Sequence, residues 1–130
     1  MWVLDTNTLI YFFKGEGRVA EELLARAPKD IGIPSVVLYE LQVGIAKSSA
    51  PEKRMRQLAE LTSVVQIVPF QQREAQAAAK LRATLERDGR PIGPYDTLIA
   101  GTALAHGATL VSRNTREFDR VEALRVEDWY

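Results

Sequence analysis

The sequence predicts an α/β fold built on a central parallel sheet. Two observations carry that prediction. Short apolar runs at residues 1–4, 31–34, 64–68, 109–112 and 124–126 alternate with segments of helical spacing, and strands that alternate with helices pair in parallel with helices on both faces. The second is the stretch 91–118, PIGPYDTLIAGTALAHGATLVSRNTREF. There a Pro/Gly loop fixes the start of an apolar helix, the helix feeds a buried strand, and the strand runs straight into polar residues.

The elements follow in order. Residues 1–4 read as a central strand, and Asp5-Thr6-Asn7-Thr8 comes directly after it. A helix continues through 9–14 until Gly15 and Gly17 break it. Ala20, Leu23, Leu24 and Ala27 recur at helical spacing, predicting a helix over 19–27. Residues 31–34 form the second strand, and Ser35 is the expected N-cap of a helix over 36–46. A basic amphipathic helix is expected over 52–61, a strand over 64–68, and an alanine-rich helix over 74–87 that Asp88-Gly89 ends. The next helix spans 95–106, with Gly107 suited to the left-handed residue that closes it. A strand over 109–112, a polar turn over 113–117 and a strand over 124–126 complete the chain. There is no internal repeat and no linker, so 1–130 reads as one domain.

Composition narrows the chemistry. The chain has 130 residues, no cysteine and one histidine, His106, which excludes disulfides, thiolate chemistry, zinc–thiolate sites and multi-histidine metal centres. No apolar run is long enough to span a bilayer. A strand beginning at Met1 leaves no room for a signal peptide, so a cytoplasmic location is expected. Seventeen basic residues balance seventeen acidic ones. If several acids converge on one site, the remaining surface is left net basic, which favours a polyanionic partner.

Asp5, Glu40 and Asp96 are the acids that matter. Asp5 and Asp96 stand in first turns, where helix capping is an adequate explanation of each alone. Glu40 lies inside a helix, on a stripe with Val36, Val37, Leu41 and Gly44, where a carboxylate requires a partner such as an arginine. Each begins or lies just beyond the turn after a predicted strand, so all three fall at the same edge of a parallel sheet. Carboxylates about 4 Å apart repel by roughly 4 kcal/mol at an effective dielectric of 20. Such a cluster calls for a cation. Oxygen ligands without sulfur or imidazole select Mg²⁺ or Mn²⁺, an ion suited to activating water against a phosphodiester. In the turn at 113–117, Asn114 is placed to orient a water or phosphate. Glu117 is the first candidate for the fourth acid and Asp119 the second, although Asp119, two residues on, is expected to point away. Arg113 and Arg116 are candidate phosphate contacts, and Lys53, Arg54, Arg56, Arg82, Arg87 and Arg90 are candidates for guiding a polyanion.

With these residues identified, the chain resembles the PIN-domain ribonucleases, in particular the VapC-type toxins of bacterial toxin–antitoxin pairs. The resemblance rests on LDTNTLI at 4–10, SVVLYEL at 35–41, RPIGPYDTLIAGTALAHGATLVSRNTREF at 90–118 and the closing Trp129. It implies a three-layer α/β/α domain and metal-dependent cleavage of RNA. It assigns metal ligation to Asp5, Glu40, Asp96 and Glu117 and places Asn114 in the same catalytic set. It also implies a homodimer and a small VapB-like antitoxin that inhibits it. Two other readings compete: a catalytically silent binding domain, and a phosphatase of the haloacid dehalogenase type. The second wants an acid two residues beyond the first aspartate, where this chain has Asn7.

Overall fold

Five strands, β1 (Trp2–Leu4), β2 (Ile31–Pro34), β3 (Gln66–Val68), β4 (Thr109–Val111) and β5 (Arg125–Glu127), form one sheet in the computed structural model, which describes Met1–Tyr130. The order is β3-β2-β1-β4-β5 and every pairing is parallel. The chain therefore builds outward from β1 in one direction and then returns to build in the other. This reversal creates a crevice beside β1 at the carboxyl ends of the strands, the usual ligand position in such sheets. Leu4 pairs with Val111, and the Asp5 amide donates to the Val111 carbonyl at 3.1 Å. Asp5 is thereby fixed at the reversal point.

Seven helices flank the sheet: α1 (Thr6–Lys14), α2 (Val19–Leu24), α3 (Ser35–Ala46), α4 (Pro51–Thr62), α5 (Gln72–Arg87), α6 (Pro94–Ala105) and α7 (Thr115–Phe118). Their apolar stripes meet the sheet in a core that includes Val3, Leu4, Ile33, Leu110 and Val111 from the strands. Leu9, Val37, Leu41, Leu58, Leu81, Ile99 and Phe118 come from the helices. Gly15 closes α1 at φ +69° and Gly107 follows α6 at φ +58°, the left-handed conformation expected of them. Trp2 and Trp129 both donate to the Glu127 carboxylate, at 3.3 and 3.0 Å, and the Arg26 guanidinium lies over both indoles. That cluster ties the first strand to the last.

Some boundaries differ from the sequence expectation. Helix α2 stops at Leu24, short of Ala27, because Pro28 holds Ala27 extended (ψ 133°) ahead of a 3₁₀ turn over Pro28–Asp30. Ser35 is not the N-cap of α3 but its first residue. Pro34 takes the cap position, and the Ser35 hydroxyl donates to the Val68 carbonyl at 3.3 Å, tying α3 to β3. The turn expected at 113–117 contains α7, a single helical turn too short to show periodicity in sequence. Its buried Phe118 anchors it to the core. The last strand sits one residue later than expected, in register with β4 through Thr109 and Arg125.

Helices α5 and α6 touch at Gly101. A Cβ built there would lie 2.6 Å from both Cα and Cβ of Ala78, whereas one at Gly44 of α3 meets nothing within 4 Å. Two substitutions should therefore have opposite signs. Gly101→Val should destabilise by about 3 kcal/mol, since overpacking exceeds any gain in helix propensity. Gly44→Ala should stabilise by about 0.5–1 kcal/mol. Urea midpoints at unchanged m-value check both, and a Gly101→Val protein as stable as the parent would show that the helices can move apart.

Candidate active site

Four elements deliver carboxylates to the crevice. Asp5 leaves β1 as the N-cap of α1, its Oδ1 accepting from the Thr8 amide at 2.9 Å. Glu40 projects from α3, the helix that follows β2. Asp96 lies in the first turn of α6, which runs back to feed β4, so its N-terminal end is at the carboxyl edge. Glu117 belongs to α7, directly after β4. Parallel strands make this convergence automatic, because every strand ends at the same edge.

Hydrogen bonds hold each group. The Ser112 hydroxyl, just beyond β4 and without solvent exposure, accepts from the Asn114 amide at 3.0 Å and, with Thr8, opposes the rise of the Asp5 pKa. The Thr6 hydroxyl donates to Glu40 Oε1 at 2.6 Å. The arginine expected beside Glu40 is absent from it: Arg54 lines the same hollow, but its Nη1 donates to the Phe13 carbonyl and the Gln57 amide oxygen. Asn114 Nδ2 donates to Glu117 Oε2 at 2.7 Å, so those two side chains share a face. Asp119 is exposed at the C-cap of α7, outside the cluster.

The electrostatics are unusual. All eight ion pairs in the structure use other acids, namely Glu21, Glu22, Glu74, Glu86, Asp88 and Glu127. Asp5, Glu40, Asp96 and Glu117 have no lysine or arginine nitrogen within 4.0 Å. Burial raises the Asp5 pKa; Ser112 and Thr8 oppose this, and the Glu40 charge adds to it. Asp96 is pushed up to about 7, first by burial, then by its hydrogen bond with Glu117 and the charges of Glu117, Asp5 and Glu40. Burial and the neighbouring Glu117 carboxylate thus favour the protonated form of Asp96. No three of the acids close around a single point as a finished coordination shell. The donor chemistry nonetheless fits a hard divalent cation: four carboxylates, all oxygen, mutually repelling and without protein counter-charge.

Four side chains at the site lie outside the sequence assignment. Thr6 steadies Glu40, and Ser112 opposes the rise of the Asp5 pKa; a hydroxyl at the buried end of an apolar strand was the available signal for Ser112. Tyr39 lies 5.9 Å from Tyr95, centroid to centroid, with both rings about half exposed beside Glu40 and Asp96. The adjacent Tyr39 raises the Tyr95 pKa, with a further contribution from the Glu40 charge. No pattern in α3 or α6 distinguishes these tyrosines from core or interface residues.

With the geometry established, comparison with known proteins gives a consistent answer. The PIN domain model matches residues 2–124. The chain is 38% identical over 128 residues to the tRNA(fMet)-specific endonuclease VapC of Shigella flexneri, covering 98% of this chain and 97% of that one. It is 37% identical over 131 residues to Ribonuclease VapC2 of Haemophilus influenzae, covering 98% and 97%. Among solved structures, a chain of DNA-bound VapBC from Salmonella typhimurium superposes with a TM-score of 0.92 at 35% identity, covering 99% of this chain and 98% of that one. A parallel sheet of this order, acids gathered at its carboxyl edge and full-length similarity to these proteins lead to one conclusion: the chain belongs to the PIN-domain family, as a VapC-type member.

Proposed function

We propose that this protein is a divalent-metal-dependent endoribonuclease and the toxin of a toxin–antitoxin pair, hydrolysing RNA phosphodiester bonds with water as the nucleophile. The observation that carries the reading is the set of four carboxylates from four elements, gathered without a protein cation in a chain of this family. Asp5, Glu40, Asp96 and Glu117 would hold Mg²⁺ or Mn²⁺, which when bound lowers the pKa of water and offsets charge on the phosphodiester. The Thr6 hydroxyl and the Thr8 amide fix the directions of Glu40 and Asp5. Asn114 holds Glu117 through Nδ2 and leaves its amide oxygen to accept from the attacking water. Asp96, pushed up to about 7, must give up its proton before it serves as a ligand. By the family's chemistry the products carry 5′-phosphate and 3′-hydroxyl ends.

Substrate and partners follow from the relatives. The Shigella protein is named for tRNA(fMet), so initiator tRNA is the first RNA to test. The Salmonella structure is a VapBC assembly, which supports a small VapB-like antitoxin here. The acid cluster would attract an arginine of that peptide. Beside Glu40, a cavity of about 190 Å³ floored by Ile10, Phe13, Leu41 and Ile45 would receive its apolar residues. No helix is long and apolar enough to cross a membrane, and the protein is proposed to act in the cytoplasm as a homodimer.

Asp5→Asn and Asp96→Asn should each reduce RNA cleavage by on the order of 10²-fold or more while leaving the far-ultraviolet circular dichroism unchanged. Glu117→Gln should weaken the apparent Mg²⁺ affinity about 10–100-fold, and Asp119→Asn should not. Cleavage that survives EDTA, or cyclic-phosphate products, would contradict the mechanism.

A second expectation concerns pH. The folded-state pKa of Asp96 lies above its unfolded value, so the folded protein binds more protons between about pH 4 and pH 7. The stability contributed by that proton is present below the lower value and is lost as pH rises through the upper one. Metal-free protein should therefore lose thermal stability across this range, with Asp5 acting in the same direction. Asp96→Asn should flatten the slope, and Mn²⁺ should stabilise the parent more at pH 8 than at pH 5. A metal-free profile equally flat for parent and variant would refute the raised pKa of Asp96.

Expression of the protein alone should slow bacterial growth, and co-expression of an adjacent small antitoxin gene should restore it. Normal growth at verified expression would favour a catalytically silent domain instead.

A further inference from the structure

Arg113 sits between two residues of the site. Two residues before it the Val111 carbonyl accepts from the Asp5 amide at 3.1 Å, and Asn114 after it bonds Glu117. Consecutive Cα atoms are about 3.8 Å apart, so the Arg113 backbone stands at the mouth of the acid cluster. Its side chain nevertheless makes no ion pair with any carboxylate there. The guanidinium lies 3.6 Å from the centroid of the Tyr130 ring and 5.8 Å from that of Tyr11. Tyr11 and Tyr130 pack edge to face at 4.9 Å, so the two rings form one aromatic seat for the guanidinium. The end of the chain is itself fastened, with the Arg18 amide donating to the Trp129 and Tyr130 carbonyls. A Cβ on Gly17 would come within 2.7 Å of the Tyr130 carbonyl oxygen, so this glycine, at φ +62°, is what lets Tyr130 approach.

A free arginine beside four carboxylates would fold onto them, since charge-assisted bidentate pairing is among the strongest polar contacts available. That would neutralise the site and compete with any cation. The two rings hold the guanidinium away from the acids by cation–π attraction while leaving it charged and exposed to solvent. An acid cluster also repels the backbone of a polyanionic substrate, so a fixed cation just outside it compensates for that repulsion.

We propose that Arg113, held by Tyr11 and Tyr130, binds an RNA backbone phosphate next to the scissile one and so positions the strand across the acid cluster. The assignment rests on the ribonuclease reading. Arg113 is a binding and positioning residue, with no part in the bond-breaking step. Tyr130→Leu should impair it indirectly, by freeing the guanidinium to collapse onto the carboxylates.

The test uses the full chain with Asp96→Asn as a non-cleaving background and a fluorescein-labelled single-stranded oligouridylate as the probe. Binding is measured by anisotropy over a range of salt concentrations. Loss of one phosphate contact should reduce the slope of log K against log salt by about 0.7. Arg113→Gln should show that reduction and Arg113→Lys should recover most of it. On the cleaving protein, Arg113→Gln should raise KM more than it lowers kcat. Thermal melting separates a structural role: a fall in Tm with an unchanged salt slope overturns the assignment. So does an Arg113→Gln slope equal to the background's when the background binds. If the background binds no RNA at any salt concentration, the ribonuclease reading itself fails and this assignment falls with it.

Discussion

Mutual repulsion among Asp5, Glu40, Asp96 and Glu117 is the constraint around which the structure is arranged. Four carboxylates at one crevice with no basic partner oppose folding in a domain whose total stability is about 5–15 kcal/mol. The fold relieves this in several ways. Burial and its acidic neighbours push Asp96 up to about 7, towards its neutral form. Hydroxyl and amide donors from Thr6, Thr8 and Asn114 hold Glu40, Asp5 and Glu117 individually. Helix N-termini also face the cluster, with Asp5 capping α1 and Asp96 in the first turn of α6, where partial positive charge favours an anion.

The arginines support the same arrangement by where they are held. Arg54 donates to the Phe13 carbonyl and to Gln57, Arg26 lies between two tryptophans, and Arg113 lies against two tyrosines. Each is anchored by something other than the cluster, so the negative charge at the crevice stays available to a cation or a basic peptide. A conventional stabilising network would have inserted at least one guanidinium among the acids. Its absence is why the cluster is the candidate site, since carboxylates with raised pKa and no structural partner concentrate at functional sites.

Away from the crevice the molecule uses ordinary means. Gly101 lets α5 and α6 approach to backbone contact at Ala78. Buried Glu74 accepts from the Gln71 amide at 2.9 Å and meets His106 Nε2 at 2.7 Å, joining the start of α5 to the C-terminal end of α6. The only histidine is thus engaged in holding two helices together, consistent with its sequence position at a helix end. These contacts make the α5–α6 pair a stiff support for Asp96, which α6 carries in its first turn.

The sequence by itself determined the class of fold and most of its elements. Alternating apolar runs and helical stretches specify a parallel sheet, and such a sheet brings every strand-following residue to one edge. Asp5, Glu40 and Asp96 could therefore be grouped before any coordinates existed. Asn114 and Glu117, three residues apart, could be placed on one face from helical spacing alone. Local signals failed where a non-local contact decided the outcome. Ser35 looks like a cap in isolation, but Pro34 takes that place and β3 draws the Ser35 hydroxyl to Val68. Residues 115–118 look like a polar turn, but Phe118 finds the core and winds them into a helix. The partners of Glu40 and Arg113 were equally out of reach, since Thr6 and Tyr130 lie 34 and 17 residues away along the chain. Tertiary structure alone decided which polar groups meet, because hydrogen-bonding and cation–π partners are fixed by the packing of whole elements rather than by spacing within one.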